Sequence, residues 1–235
     1  MVYPTLHHTR LKFNNKIMNS SKKMHQVVKL LSKVAERHAP SRMLSFDLVH
    51  VFKTMQMMEE NKRISRSLMM RELGLGEGSV KTIVKHMKMS GLVENSNAGM
   101  WLTNKGKSIY TKLHISIPKE MDIPKCSIAL GKFNHAVLLK DMAYNIRSGI
   151  EQRDTAIKAG AVGATTLVFR NERLVLPGTG EDLMRNDQKI HSLIIEKLAP
   201  EENDVIIIGS SQSKKIAEMA AKSAALYTIE DHEKH

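Results

Sequence analysis

The sequence predicts an α+β protein built from two unlike halves, and three observations carry that expectation. Residues 45–113 show three stretches of helical apolar periodicity followed by a short alternating hairpin, whereas residues 126–235 interleave short apolar runs with amphipathic segments. A chain of 235 residues has the length of two ordinary domains. The net charge of +12 lies wholly in the first half: residues 1–40 hold 8 Lys+Arg against 1 Asp+Glu and residues 41–115 hold 12 against 6, but residues 116–235 hold 16 against 17. A basic half joined to a nearly neutral one points to a polyanionic partner for the first and a different task for the second.

Residues 1–19 show no sustained period and are expected to form a flexible basic amino terminus, dispensable for the fold. Residues 20–40 read as an amphipathic helix: Ser20 or Ser21 can cap it, Met24, Val27, Val28, Leu31 and Val34 share one face, and Pro40 stops it. Such a helix either pairs two subunits or packs on its own domain. A domain over residues 41–115 then opens with a helix from a Ser45 cap, with Phe46, Val49, Phe52 and Met55 along one face. A short second helix, capped by Ser65 or Ser67, ends near Gly74, and a third buries Val80, Ile83, Val84 and Met87 and closes at Gly91. "LVENSNAGMWLT" alternates around "SNAG" as a hairpin, and Thr103 restarts a helix. A short helix, a glycine-bearing turn, a second helix and a hairpin, in that order, make a winged helix-turn-helix.

"LGLGEGSVKTIV" sets Gly74, Gly76 and Gly78 ahead of Lys81 and Thr82, superficially like a phosphate-binding loop. Such a loop needs glycine directly before its lysine and a strand before its first glycine. Here Val80 precedes Lys81, and the preceding segment is helical, so the stretch reads as the turn and recognition helix of a DNA-binding domain. With the apolar positions turned inward, Ser79, Thr82, Lys85 and His86 are expected at base edges, Lys81 and Lys88 at phosphates, and Gly78 at a close backbone approach. Asn95, Ser96 and Asn97 of the wing and Lys105 and Lys107 behind it complete the expected DNA surface. Double-stranded DNA is the expected partner.

Two prolines in "HISIPKEMDIPKC" mark residues 116–125 as a linker, and residues 126–235 as a mixed α/β domain for effector sensing or dimerisation. "CSIALGK", "HAVLLK" and "DVIIIGSS" read as strands and "ATTLVFRNERLVLPG" as two strands turning at "RNER". "AYNIRSGIEQRDTAIKAG", "EDLMRNDQKIHSLIIEKLAP" and "SKKIAEMAAKSAAL" read as helices. Two places are candidates for ligand binding. Gly209, Ser210, Ser211 and Ser213 lead from a strand into a helix start, where free N–H groups favour an anion, although ordinary capping accounts for the same serines. Arg153, Asp154 and Lys158 lie along one helical surface ahead of Thr165 and Thr166, suited to a small effector or a dimer contact; Asp154 with Lys158 also fits a plain i,i+4 ion pair. The expected effector is small and anionic.

No catalytic motif is legible, and no catalytic residue, metal site or cofactor is expected. The single Cys126 excludes an internal disulfide and a cysteine-rich zinc site, and sits in an apolar run that predicts burial. No apolar window reaches the ~20 residues of a membrane span, and the amino terminus has no signal-peptide core. The expectation is therefore a cytoplasmic, homodimeric, DNA-binding transcription regulator with no membrane partner. Two alternatives remain open: an enzyme acting on a phosphorylated metabolite through the carboxy-terminal domain, and a winged-helix protein-interaction adaptor.

"APSRMLSFDLVHVFKTM", "LGLGEGSVKTIV", "SGLVENSNAGMWLTNKGK" and "GIEQRDTAIKAGAVGATTLVF" together resemble a group of archaeal two-domain proteins. These join a winged helix to a carboxy-terminal domain of unknown function and are regarded as transcription regulators. The resemblance covers about residues 38–210, and its distinctive part is "GIEQRDTAIKAGAVGATTL". It implies a regulator and no particular ligand.

Overall fold

The computed structural model describes residues 26–36, 45–129, 131–185 and 187–231. The flexible amino terminus over residues 1–19, the caps Ser20 and Ser21, Met24 and Pro40 lie outside the described residues. Within them, residues 26–34 form helix α1, and Val27, Val28, Leu31 and Val34 are all buried. Of the two roles open to this helix, the structure favours packing on its own chain: its apolar face joins the core of the following domain.

The next helices of this domain start where a side chain satisfies the orphaned backbone groups of the helix end, except the one beginning at Glu77, which starts from Gly76 without a side-chain cap. Helix α2 (Leu48–Asn61) is capped by Asp47, which accepts from Val49 N while His50 bonds back to the Asp47 backbone. Asp47 thus displaces the expected Ser45 by two residues, because the aspartate and His50 form a reciprocal capping pair. Helix α3 (Arg66–Leu73) is capped by Ser65 Oγ, which accepts from Leu68 N, and closes through Gly74 at φ 69°. Helix α4 (Glu77–Met89) buries Val80, Ile83, Val84 and Met87. Strands β1 (Val93–Ser96) and β2 (Gly99–Leu102) pair antiparallel as the wing. Helix α5 (Asn104–Ser116), capped by Thr103, lies so close to the wing's base that a Cβ on Gly106 would sit 2.1 Å from Leu92 O.

The second half is a five-stranded sheet in the order β3-β4-β7-β5-β6, each neighbouring pair antiparallel. Its strands are β3 (Glu120–Ile123), β4 (Phe133–Leu139), β5 (Gly163–Arg170), β6 (Arg173–Val175) and β7 (Val205–Ser211). Helices α6 (Ile150–Lys158) and α8 (Lys214–Glu230) pack against one another, and α8 covers β4 and β7. Helix α7 (Gln188–Leu198) covers the other face, where Ile190, Ile194 and Leu198 meet Ala136, Leu138, Leu167, Ile206 and Ile208. The β5–β6 turn falls at Asn171 and Glu172, with φ 48° and 60°, the left-handed pair that a tight hairpin demands.

Three expectations are corrected here. Residues 116–125 are not a plain linker: α5 runs to Ser116, and Glu120–Ile123 form an edge strand. "CSIALGK" is not a strand; Cys126 makes one isolated bridge to Ala129, is half-buried, and its thiol is pushed up by burial. The "AYNIRSGIEQRDTAIKAG" helix starts only at Ile150, after a 3-10 turn over Ala143–Asn145.

The two halves share one apolar core. Helix α8 places Met219, Ala221, Ala224, Ala225, Leu226 and Ile229 in the same cluster as Val27, Phe52 and Leu113 of the amino-terminal half and Val137, Val205 and Ile207 of the sheet. A charged network crosses the same boundary. Lys222 is 0% exposed, and its Nζ bonds Glu218 Oε1 at 2.5 Å, Gln56 Oε1 at 2.6 Å and Glu120 Oε2 at 2.9 Å. Lys53 of α2 reaches Glu218 from the other side. Burial alone would raise the Glu120 carboxyl, but His135 3.9 Å away, the Lys222 charge and the hydrogen bond donated by Gln56 hold it well below the carboxylate range. Glu218 is held low against burial by Lys222 and then Lys53.

Candidate nucleic-acid interface and a carboxy-terminal pocket

Helix α4 divides along its length. Its apolar stripe faces the core, and Glu77, Gly78, Lys81, Lys85 and Lys88 are exposed, with Ser79 and Thr82 partly so. Lys85 and Lys88 make no ion pair among the described residues and present free ammonium groups. Lys81 Nζ lies 2.8 Å from Glu77 Oε1 one turn earlier, and this hydrogen bond, together with the charges of Lys81 and Arg66, holds Glu77 below its usual range. Thr82 Oγ1 donates to Gly78 O at 2.9 Å, which leaves the hydroxyl able to accept a further hydrogen bond. No atom would meet a Cβ on Gly78 within 4 Å, so the helix start is open for close approach. Asn95, Ser96 and Asn97 are exposed at the wing, where Ala98 N donates to Ser96 Oγ at 3.1 Å.

Two of the expected DNA residues are otherwise engaged. His86 is 6% exposed, its Nδ1 donates to Val34 O at 2.9 Å, and its ring meets Phe46 edge-on. Helical geometry carries the position past the wet face and under α1, so the base-edge role expected for His86 is corrected to a core one. Lys105 Nζ donates to Ser90 O at 2.8 Å, capping the end of α4, whereas Lys107 stays exposed without an ion pair among the described residues. The sequence reading passed over Arg63, whose guanidinium lies 4.7 Å above the Trp101 ring of the wing, and Arg66, close enough to Glu77 to lower it. The basic run "NKRISR" before α3 is the signal that marks both.

The ligand residues expected in the second half do not assemble as one site. Ser210 and Ser211 are buried inside β7, paired with Asn134 and Phe133. A Cβ on Gly209 would sit 2.5 Å from Ala217 O and 2.8 Å from Ala221 N, so the glycine serves close packing of α8 on the sheet. Ser213 is the N-cap of α8 without a side-chain cap bond. The anion cradle expected over Gly209–Ser213 is therefore corrected: the strand runs on to Ser211, and its serines face sheet and helix. Arg153 pairs with its neighbour Asp154 at 3.1 Å, not Asp154 with Lys158, and Lys158 is exposed at the far end of α6.

Arg153, Thr165 and Thr166 do converge. They line a cavity of about 340 Å³ with Ser127, Ile128, Ser148, Gly149, Leu176 and Leu183. Strand β6 pairs only with Val168–Arg170, so the Ala164–Thr166 stretch of β5 is left as a sheet edge on that side. Helix α6 starts at this edge from Gly149 at φ 80°, with no side-chain cap. Thr165 Oγ1 donates to Ile128 O at 2.6 Å, but Thr166 Oγ1 is buried without a hydrogen-bond partner. A larger cleft of about 760 Å³ lies among α2, α5 and β3; its walls mix Glu59, Glu60 and Glu120 with Lys62, Lys119 and Lys197. Tyr110 on that cleft is pushed up to about 12 by burial and by Glu60, Glu120 and Glu59.

Comparison with known proteins divides the chain at the same place. Residues 48–117 match the model of the CggR N-terminal DNA binding domain, and residues 130–229 match that of Domain of unknown function (DUF4443). The chain thus has the plan of a two-domain, regulator-like protein, and the first match supports a DNA-binding regulator. A solved structure of a hypothetical protein from Pyrococcus horikoshii OT3 is similar over 81% of this chain and 96% of its own, at 23% identity and a TM-score of 0.63, a likeness of fold. No curated protein matches. Among the described residues no helix is long and apolar enough to cross a membrane.

Proposed function

We propose that the protein is a sequence-specific transcription regulator that docks α4 in a major groove of double-stranded DNA, with the carboxy-terminal domain sensing a ligand and pairing two copies. The observation that carries this reading is the exposed face of α4, with Ser79, Lys81, Thr82, Lys85 and Lys88 turned outward in a winged helix. Ser79 and Thr82 stand in the first two turns of α4, where side chains reach base edges, and Lys85 follows one turn on along the same face. Lys81 and Lys88 hold phosphates, as does Lys107 behind the wing, and Asn95, Ser96 and Asn97 lie along the backbone. Pairing follows from economy of recognition, since two half-sites multiply specificity.

The test is binding of the full chain to random and genome-derived DNA over a salt series, with the bound fraction sequenced. An enriched sequence is expected, with an affinity that falls steeply with salt. Lys81→Ala with Lys85→Ala should weaken binding and flatten the salt slope. Unchanged affinity and slope in that double variant would move the DNA surface elsewhere, and sequence-blind binding would sink the regulator reading.

A further inference from the structure

The cavity at the start of α6 has a definite chemical character. Arg153 is the charged residue in its lining, beside four hydroxyl side chains, Ser127, Ser148, Thr165 and Thr166. The other walls are apolar, chiefly Ile128, Ile150, Leu176 and Leu183. Helix α6 is nine residues long and directs its first-turn N–H groups to this end without a side-chain cap, leaving partial positive charge there. Ser148 Oγ accepts from Ile150 N only at 3.4 Å, a long contact that a better acceptor would displace. Thr166 is the second and independent sign. Its side chain is 3% exposed, its Oγ1 has no partner, and it lines the cavity against Gly149, where an added Cβ would come within 3.3 Å of that oxygen. A buried hydroxyl without a partner is costly, and a bound acceptor removes the cost.

We propose that this cavity binds a small aliphatic carboxylate. Its oxygens accept from the Arg153 guanidinium, from Thr166 Oγ1 and from the first-turn N–H groups of α6, and its chain lies against Ile128, Leu176 and Leu183. One guanidinium and one helix start, with Glu151 already in the first turn of α6 though outside the cavity lining, suit a single negative charge and favour a carboxylate over a phosphate dianion. The apolar walls call for a hydrocarbon body that inorganic phosphate lacks. The guanidinium now holds Asp154, an exposed sequence neighbour whose pairing is weak enough to exchange. Occupancy reaches the winged helix through α6, which packs on α8, and α8, which packs on α2. That last step rests on the regulator reading, whereas the binding itself does not.

The experiment is calorimetric titration of the full chain with acetate, butyrate, isovalerate and hexanoate, beside butylamine, isopentylamine and inorganic phosphate. Saturable binding of at least one carboxylate is expected, with the amines silent. Arg153→Gln and Thr166→Val should each weaken it by roughly tenfold or more. The unliganded Thr166→Val protein should melt at the same or a higher temperature, because the deleted hydroxyl had no partner; a structural threonine would give the opposite. No saturable carboxylate binding, binding indifferent to both variants, or phosphate binding tighter than every carboxylate would overturn the proposal. Repeating the DNA titration with the bound carboxylate separates the two readings. Ligand binding without a change in DNA affinity leaves the cavity assignment standing and removes sensing, and absence of any specific DNA binding removes the regulator alone.

Discussion

Helices α4 and α8 both carry lysines, and they use them in opposite ways. On α4 the lysines share the face away from the core, and Lys85 and Lys88 are free for an outside anion. On α8, Lys222 is fully enclosed and spends its charge on Glu218, Glu120 and Gln56 of the same chain. The contrast shows that a lysine count says little about a partner until its surroundings are known. An exposed ammonium keeps its solvation and meets a polyanion at little cost, whereas a buried one must be neutralised by neighbours already in place.

The largest effect expected from this contrast is on stability at Lys222. Lys222→Met removes a fully enclosed cation from between the half-buried carboxylates of Glu120 and Glu218 and should cost about 3–5 kcal/mol, read by urea denaturation. A cost no greater than that of a surface lysine would show that the network contributes nothing to holding the halves together. Next comes Gly209→Ala, which drives a methyl group into the α8 backbone and should cost about 2–3 kcal/mol. His86→Ala should cost about 1–2 kcal/mol through the lost bond to Val34 O while leaving the salt slope of DNA binding unchanged. A changed slope would return His86 to the DNA face.

Acid should act on the same boundary. Glu120 and Glu218 titrate below the ordinary carboxylate range in the folded chain, so their contribution is complete above the unfolded value of about 4.3 and is lost as pH falls below it. The melting temperature should therefore drop on acidification from about pH 4.3, and less steeply in Glu218→Gln. An equally steep drop in that variant would assign the acid response elsewhere. The smallest effect on stability is expected at Lys88→Ala, which should leave melting unchanged yet reduce the salt slope of DNA binding by about one.

The amino-terminal half was legible because its signals are local. Ser65, Gly74, Gly91 and Thr103 punctuate short helices, and the buried positions of α4 follow one clear stripe. His86 escaped because its partner, Val34 O, comes from α1, far away in sequence. In the second half β4, β5, β6 and β7 were legible from apolar runs and the "RNER" turn, but β3 was not. Its four residues hold two carboxylates and stand between prolines; tertiary pairing, through Lys222 and His135, makes them a strand. The cavity was half legible. Arg153, Thr165 and Thr166 belong to it, but Ser127, Ser148 and Leu176 arrive from other segments.

The single core that runs from α1 through α8 into the sheet has a thermodynamic consequence. A boundary drawn in sequence near residue 117 is not a boundary in cooperativity. Severing it would bare the apolar flank of α8 and strand Lys222 without Gln56. Heat or urea should therefore melt both halves in one transition, with a denaturant dependence set by the surface of the whole chain, and neither half should behave as a detachable module.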